Sequence, residues 1–254
     1  MTTTASIGPA AVASVAPALV ASPNGALAGR VLDVAQTSDI ALRPGEVILT
    51  FDDGPRPGRT SAILDTLDLY GVKATFLMVG RMAAAHPRLA QDVALRGHTI
   101  GTHTYDHANL STMSEDDALA EVRRGQTAVS RALAPIGDAP SAIFRFPYLA
   151  QTQVLRASLL AEQAIVLGVD IDSKDYFTST PDEVMARTLD RINKRGRGVV
   201  LFHDVHARTV AMLPGLLQAL QDQGYKVVTL RAKGNSVFDQ ELVTADAAPT
   251  SAAL

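Results

Sequence analysis

From Glu46 onward, short runs of branched and aromatic residues alternate with longer stretches in which apolar positions recur every three or four residues. The first pattern fits strands buried on both faces, and the second fits helices with one buried face. The runs predict strands at Val47–Phe51, Ala74–Val79, Thr99–Thr102, Ile143–Phe146, Ile165–Val169, Val199–Phe202 and Lys226–Thr229. The periodic stretches predict helices at Thr60–Leu69, Met82–Leu95, Glu115–Leu133, Gln151–Glu162, Pro181–Lys194 and Val210–Gln223. Local punctuation agrees: Ser114 precedes Glu115, Thr180 precedes Pro181 with Glu183 in the first turn, and Gly71, Gly97, Gly196 and Gly224 follow helix ends. Each helix returns the chain to the same end of the sheet, so the strands run parallel. The predicted fold is α/β, a single-domain irregular (β/α) barrel of about seven parallel strands.

The flanks have a different character. No charged side chain occurs from Met1 to Gly29, and residues 1–40 read as a flexible leader or the remnant of an export signal. Ala26, Leu27 and Ala28 resemble a small-residue cleavage pattern, but the positive start of such signals is missing. Residues 41–235 form the predicted barrel domain, and 236–254, rich in Ala, Thr, Asp and Pro, read as a disordered tail. No apolar run reaches the roughly 18 residues that cross a bilayer. A periplasmic or secreted location is expected, with a cytoplasmic one as the alternative.

Composition narrows the chemistry. The 254 residues carry a formal net charge of -3, with no basic excess to suggest nucleic acid. Cysteine is absent, so disulfides and thiolate metal sites are excluded and any metal must be held by oxygen and imidazole. In parallel α/β folds, functional groups gather at the C-terminal strand ends. Asp52 and Asp53, His103 and His107, Asp172 and Asp175, and His203 follow predicted strands, and Arg145 and Tyr148 lie at the end of one, so all share one rim.

Two adjacent carboxylates in Thr50-Phe51-Asp52-Asp53-Gly54-Pro55 repel each other and call for a cation. One can bind a metal while the other stays free to take a proton from water. His103 and His107, four residues apart, can share that metal, and with a carboxylate they leave coordination positions open. The bland alternatives are a helix-capping aspartate and a chance histidine pair. His203 suits a group that protonates a leaving group. Arg145 can hold the free carboxylate, and Asp175 can steer His203. His86 and His98 read as structural, and His206 as a bystander.

These stretches resemble, in order, the five motifs of the polysaccharide deacetylase family, carbohydrate esterase family 4, also called the NodB homology domain. The resemblance covers roughly Glu46 to Leu230. The Thr-Phe-Asp-Asp-Gly-Pro motif is unchanged and implies Asp52 as catalytic base and Asp53 as metal ligand. His103-Thr104 with His107 implies two more ligands. Arg145, Pro147 and Tyr148 match the third motif, implying that Arg145 orients the base and that the Tyr148 backbone N–H helps bind the oxyanion. Leu149 stands where a glycine is usual. Asp172, Asp175 and Tyr176 match the fourth, with tyrosine replacing the usual tryptophan. Leu201 and His203 match the fifth, implying a pocket for the acetyl methyl and a general acid.

The resemblance thus implies a metal-dependent hydrolase that removes N-acetyl groups from an N-acetylglucosamine-containing glycan, chitooligosaccharide or peptidoglycan, releasing acetate. The implied metal is divalent, usually Zn2+, with Co2+, Ni2+ or Mn2+ as alternatives. The alternative functions are an O-acetyl xylan esterase of the same family and a catalytically silent carbohydrate-binding protein. With no tryptophan, the sugar-stacking candidates are Tyr105, Tyr148, Tyr176 and Phe177, which predicts weak binding over few subsites.

Overall fold

The apolar runs become strands because their alternate residues bury on two different surfaces. In the strand Glu46–Asp52 all residues are buried. Leu49 and Phe51 pack outward into a cluster shared with the helices, and Ile48 packs inward with Leu77, Ile143, Ile165 and Val199. The computed structural model describes residues 27–232. The strands are β1 (Ala28–Val34), β2 (Glu46–Asp52), β3 (Thr75–Met78), β4 (Thr99–Thr102), β5 (Ile143–Phe144), β6 (Ile165–Val166), β7 (Ile171–Asp172), β8 (Gly198–His203) and β9 (Lys226–Ala232). The helices are α1 (Thr60–Leu69), α2 (Gly80–Ala85), α3 (Pro87–Leu95), α4 (Glu115–Leu133), α5 (Gln153–Ala161), α6 (Pro181–Arg195) and α7 (Ala207–Asp222).

Every recorded strand pair is parallel. The sheet runs β1-β9-β2-β3-β4-β5-β6, and β8 joins β2 to β7. β2 is the hub. β8 pairs along Val47–Asp52, while β9 takes the start of β2 at Glu46 and Val47 and β3 takes its end at Thr50–Asp52. The result is the expected α/β architecture, an irregular curved sheet jacketed by helices. The register sets Asp52 beside His203, so two rim residues 151 positions apart become strand neighbours.

Some boundaries differ from expectation. The leader expected over residues 1–40 contains a strand: β1 pairs with β9, and Val34 joins the inward core. Arg30 and Asp33 interrupt the apolar pattern there, and each is neutralised from far along the chain, Arg30 by Glu46 and Asp33 by Arg231. The helix expected at Met82–Leu95 is two helices, because Pro87 cannot continue the preceding turn and His86 turns out to φ -132, ψ 55. The strands expected at 143–146 and 165–169 end after two residues each, and β7 is an additional short strand. The first 26 residues of the expected leader and the expected tail at 236–254 lie outside the described residues.

Helix ends follow the sequence. Thr180 and Glu183 form a reciprocal capping box, Ser114 accepts from the Asp117 N–H, and Gly196 closes α6 at φ 75. Helices α2 and α4 meet through small residues. A Cβ on Gly80 would fall 2.8 Å from the Cα of Gly125, and one on Gly125 would fall 2.4 Å from the carbonyl carbon of Thr104. α4 therefore lies directly against the loop that carries His103 and His107. Gly125→Ala is expected to be net destabilising despite its gain of about 1 kcal/mol in helix propensity, because overpacking costs about 1–3 kcal/mol and here strikes backbone. Thermal unfolding tests this; an unchanged or higher Tm would show that α4 can move off the loop freely.

Candidate active site

Asp53, His103 and His107 converge at the C-terminal rim, with one ligand-type atom from each within 4.8 Å of the others. Asp53 Oδ1 lies 3.3 Å from His107 Nε2 and 3.6 Å from His103 Nε2. The backbone creates this approach. Asp53 at φ 78, Thr104 at φ 63 and His107 at φ 60 all occupy the left-handed region that non-glycine residues rarely adopt. The Thr104 hydroxyl accepts from the His107 N–H at 3.0 Å, and Glu121 of α4 accepts from the N–H groups of Tyr105 and Asp106. These bonds hold the His103–His107 loop closed.

A divalent metal fits the three residues. Asp53 Oδ1 is buried without a hydrogen-bond partner. The Arg145 carbonyl, which can only accept, lies 2.8 Å from His103 Nδ1, so a ring proton sits there and Nε2 is the nitrogen turned toward Asp53. Burial holds His107 below the usual imidazole range, favouring the neutral form that ligation needs.

Beside this cluster stand two ion pairs. Arg145 is fully buried. Its Nη1 donates to Asp52 Oδ1 at 2.7 Å and to Thr50 Oγ1 at 2.8 Å, while Nε and Nη2 donate to the carbonyls of Leu167 and Gly168. On the other side, His203 Nδ1 donates to Asp175 Oδ1 at 2.7 Å. Asp175 Oδ2 accepts from the His203 backbone N–H at 2.8 Å and from the Thr209 hydroxyl at 2.6 Å. Burial alone pushes the His203 pKa down, but the Asp175 carboxylate, aided by Asp52 and Asp53, outweighs it and carries the pKa up to about 9. Burial likewise pushes Asp175 up, and its hydrogen bonds, first of all from His203, bring it below its ordinary value. The arrangement offers a carboxylate that can accept a proton and an imidazolium that can give one, about a shared cavity.

A sequence model described as polysaccharide deacetylase matches residues 39–164. A chitin deacetylase of Colletotrichum lindemuthianum is 32% identical over 236 residues, which cover 88% of this chain and 92% of that protein. The chain belongs to the polysaccharide deacetylase family. A chitooligosaccharide deacetylase of Azorhizobium caulinodans is 30% identical over 78% of the chain and 98% of its own length. Against the peptidoglycan-N-acetylglucosamine deacetylase of Listeria monocytogenes the match is 32% over 72% of this chain but 38% of that longer protein. Among solved structures, a peptidoglycan deacetylase of Bdellovibrio bacteriovorus superposes with a TM-score of 0.72 at 33% identity, covering 89% of this chain and 63% of its own.

The cavity between the pairs has a volume of about 350 Å³ and is lined by Asp52, Asp53, His103, His107, Phe146, Tyr148, Leu149, Asp172, Tyr176, Leu201 and His203. All the rim residues named from sequence reach it except Arg145 and Asp175, which stand behind Asp52 and His203. Leu149 and Tyr176, the two departures from the motifs noted in the sequence, both line this wall. Leu149 takes φ 56, a conformation glycine adopts freely, and follows Tyr148 at φ 58. Tyr176 donates its hydroxyl to Asp172 Oδ2 at 2.9 Å and sets its ring edge-on to His203. Of the stacking candidates, Tyr148 and Tyr176 line the cavity and Phe177 is exposed beside Tyr176, whereas Tyr105 is covered by the Arg124 guanidinium, 3.5 Å from its ring centroid.

Of the remaining histidines, His98 is held within the structure. His98 Nδ1 accepts from the Ala74 N–H, and burial pushes its pKa down to about 4. His86 separates α2 from α3, and His206 stands at the start of α7, its ring 5.8 Å from that of His203. Sequence reasoning did not single out Thr50, Glu121, Thr209 or Asp204. Their side chains act on groups far away in sequence, and an isolated hydroxyl or carboxyl carries no local signal. Asp204 is a buried carboxyl pushed up to about 7 by burial, against the opposing effect of its bond from Thr60.

Because the His203 pKa is raised above its ordinary 6.5 and the Asp175 pKa lies below its ordinary 3.8, the pair stabilises the fold fully between those two values; the contribution is lost as pH rises toward about 9 and again as Asp175 is protonated in acid. In the metal-free protein, an NMR titration of the His203 ring is expected to show a midpoint well above 6.5, and Asp175→Asn to bring it down. A wild-type midpoint at or below 6.5 would mean that burial, and not the carboxylate, governs this histidine.

Proposed function

We propose that the protein is a metal-dependent deacetylase that hydrolyses the N-acetyl groups of an N-acetylglucosamine-containing glycan, chitooligosaccharide or peptidoglycan, to acetate and a free amino sugar. The carrying observation is the pairing of Asp52 with a guanidinium and of Asp175 with an imidazole around one cavity that also holds Asp53, His103 and His107. In this reading Asp53, His103 and His107 hold the metal, with zinc favoured by the one-oxygen, two-nitrogen donor set. When bound, it supplies Lewis acidity that lets water give up a proton near neutral pH.

Asp52 takes that proton, and Arg145 keeps the carboxylate aimed. The water oxygen then bonds to the acetamide carbonyl carbon, and the Tyr148 backbone N–H, on a turn closed by Leu149 and Ala150 N–H bonds to Phe146 and Pro147, receives the developing oxyanion. Phe146, Leu201 and Tyr176 give the acetyl methyl an apolar wall. His203 passes its Nε2 proton to the amide nitrogen as the carbon–nitrogen bond breaks. Amine expulsion depends on such a proton, and the Asp175 carboxylate, which raises the His203 pKa, favours the charged imidazolium that gives it.

The substrate names of the relatives agree with this class. Glycans of this kind lie outside the cytoplasmic membrane, consistent with a periplasmic or secreted site of action. No helix among the described residues is long and apolar enough to cross a membrane.

Acetate release is to be measured on N-acetyl chitooligosaccharides, peptidoglycan and acetylated xylan, with chelator and with zinc restored. Release from the N-acetylated glycans that chelator abolishes and zinc restores is expected. Asp52→Asn is expected to lower kcat by about 10²-fold or more, the usual scale for a proton-transfer group. Chelator-insensitive release, or release from xylan alone, would overturn the assignment.

A further inference from the structure

The five motifs end at His203, yet the next residue is a buried carboxyl with no cationic partner among the described residues. Asp204 is 1% exposed, and burying such a group is costly unless its contacts compensate. Its Oδ2 accepts from the Thr60 hydroxyl at 2.5 Å. The same hydroxyl oxygen accepts from the Arg56 N–H at 2.7 Å, so the Thr60 proton is committed to Asp204. The Asp204 backbone N–H donates to the Asp52 carbonyl at 3.2 Å. The carboxyl also lies against Gly54, where an added Cβ would fall 2.0 Å from Oδ2 and 2.3 Å from Oδ1. Residue 204 thus touches the chain just before Asp53, just after it, and at Thr60, whose hydroxyl in turn holds the Arg56 N–H.

Between those points Asp53 sits at φ 78. Its Oδ1 has no hydrogen-bond partner, so the backbone of the turn aims it at His103 and His107. We propose that Asp204 is a positioning residue for the metal-ligand loop: held by Thr60, its carboxyl braces the turn at Gly54 against the end of β8 and fixes the direction of Asp53. This rests on the reading of Asp53 as a metal ligand.

The test is zinc affinity, measured on metal-free protein by competition with a chromogenic chelator and needing no glycan, together with Tm. Asp204→Ala and Thr60→Val are expected to weaken zinc binding about tenfold or more, and Asp204→Asn and Thr60→Ser, which keep the hydroxyl-to-oxygen bond, to stay within about threefold. The double variant Asp204→Ala with Thr60→Val is expected to bind no more weakly than Asp204→Ala alone, since both remove one contact. Wild-type zinc affinity in a folded Asp204→Ala protein, or a lowered Tm with unchanged zinc affinity, would overturn the proposal and leave Asp204 a packing residue. Should Asp204→Ala fail to fold, Thr60→Val decides in the same way. Loss of zinc affinity in a protein that deacetylates no glycan would sink the functional reading while leaving this one standing.

Discussion

The site depends on one buried guanidinium. Removing the Arg145 side chain from water costs several kcal/mol unless its donors are satisfied, and here Asp52, Thr50, Leu167 and Gly168 all accept from it. Those acceptors lie on and just after different strands, so a single side chain ties the ends of β2, β5 and β6 together inside the barrel. Its backbone carbonyl does a second job, because it receives the Nδ1 proton of His103 and thereby fixes which nitrogen faces Asp53. Orientation of one carboxylate and the tautomer of a neighbouring imidazole are thus set by the same residue. Removing Arg145 would leave Asp52 buried and unpaired, a situation that costs about 3–5 kcal/mol in comparable cases.

The two ion pairs differ in what their cations can do. A guanidinium does not release a proton near neutral pH, so Asp52 is held beside a permanent charge and remains an acceptor. An imidazolium does release one, and Asp175 raises the pH at which it does so without being exposed to the cavity itself. Exchanging the partners would leave neither side suited to its task. In the proposed mechanism, the asymmetry between a fixed and a titratable cation gives the two pairs opposite roles.

Much of this was legible in the sequence. Parallel strands buried on both faces read as continuous apolar runs, and the polar residues ending them are conspicuous by contrast, which is why Asp52, Asp53, His103, Arg145, Asp175 and His203 stood out. β1 did not, because its charges Arg30 and Asp33 are neutral only in the company of Glu46 and Arg231, residues that no local window contains. The break at Pro87 was readable from proline chemistry but was overruled by an apolar period running through it. Thr209 and Asp204 were silent for another reason: their side-chain hydrogen bonds join residues 34 and 144 positions away.

Backbone strain is concentrated where the cavity is. Asp53, Thr104, His107, Tyr148 and Leu149 all hold positive φ, each at a cost of about 1–3 kcal/mol that the surroundings must offset. For the histidine loop the offset is visible. Gly80 and Arg81 donate their N–H groups to the carbonyls of Thr104 and Tyr105, Glu121 accepts from the N–H groups of Tyr105 and Asp106, and Gly125 lets α4 approach closely enough for this to happen. None of these bonds uses the Nε2 atoms of His103 or His107. In the proposed reading, metal ligation would therefore compete with none of the bonds that hold the loop. A site built this way binds with little reorganisation, which is the condition under which two nitrogens and a single carboxylate oxygen suffice to retain a metal while leaving positions open for water and substrate.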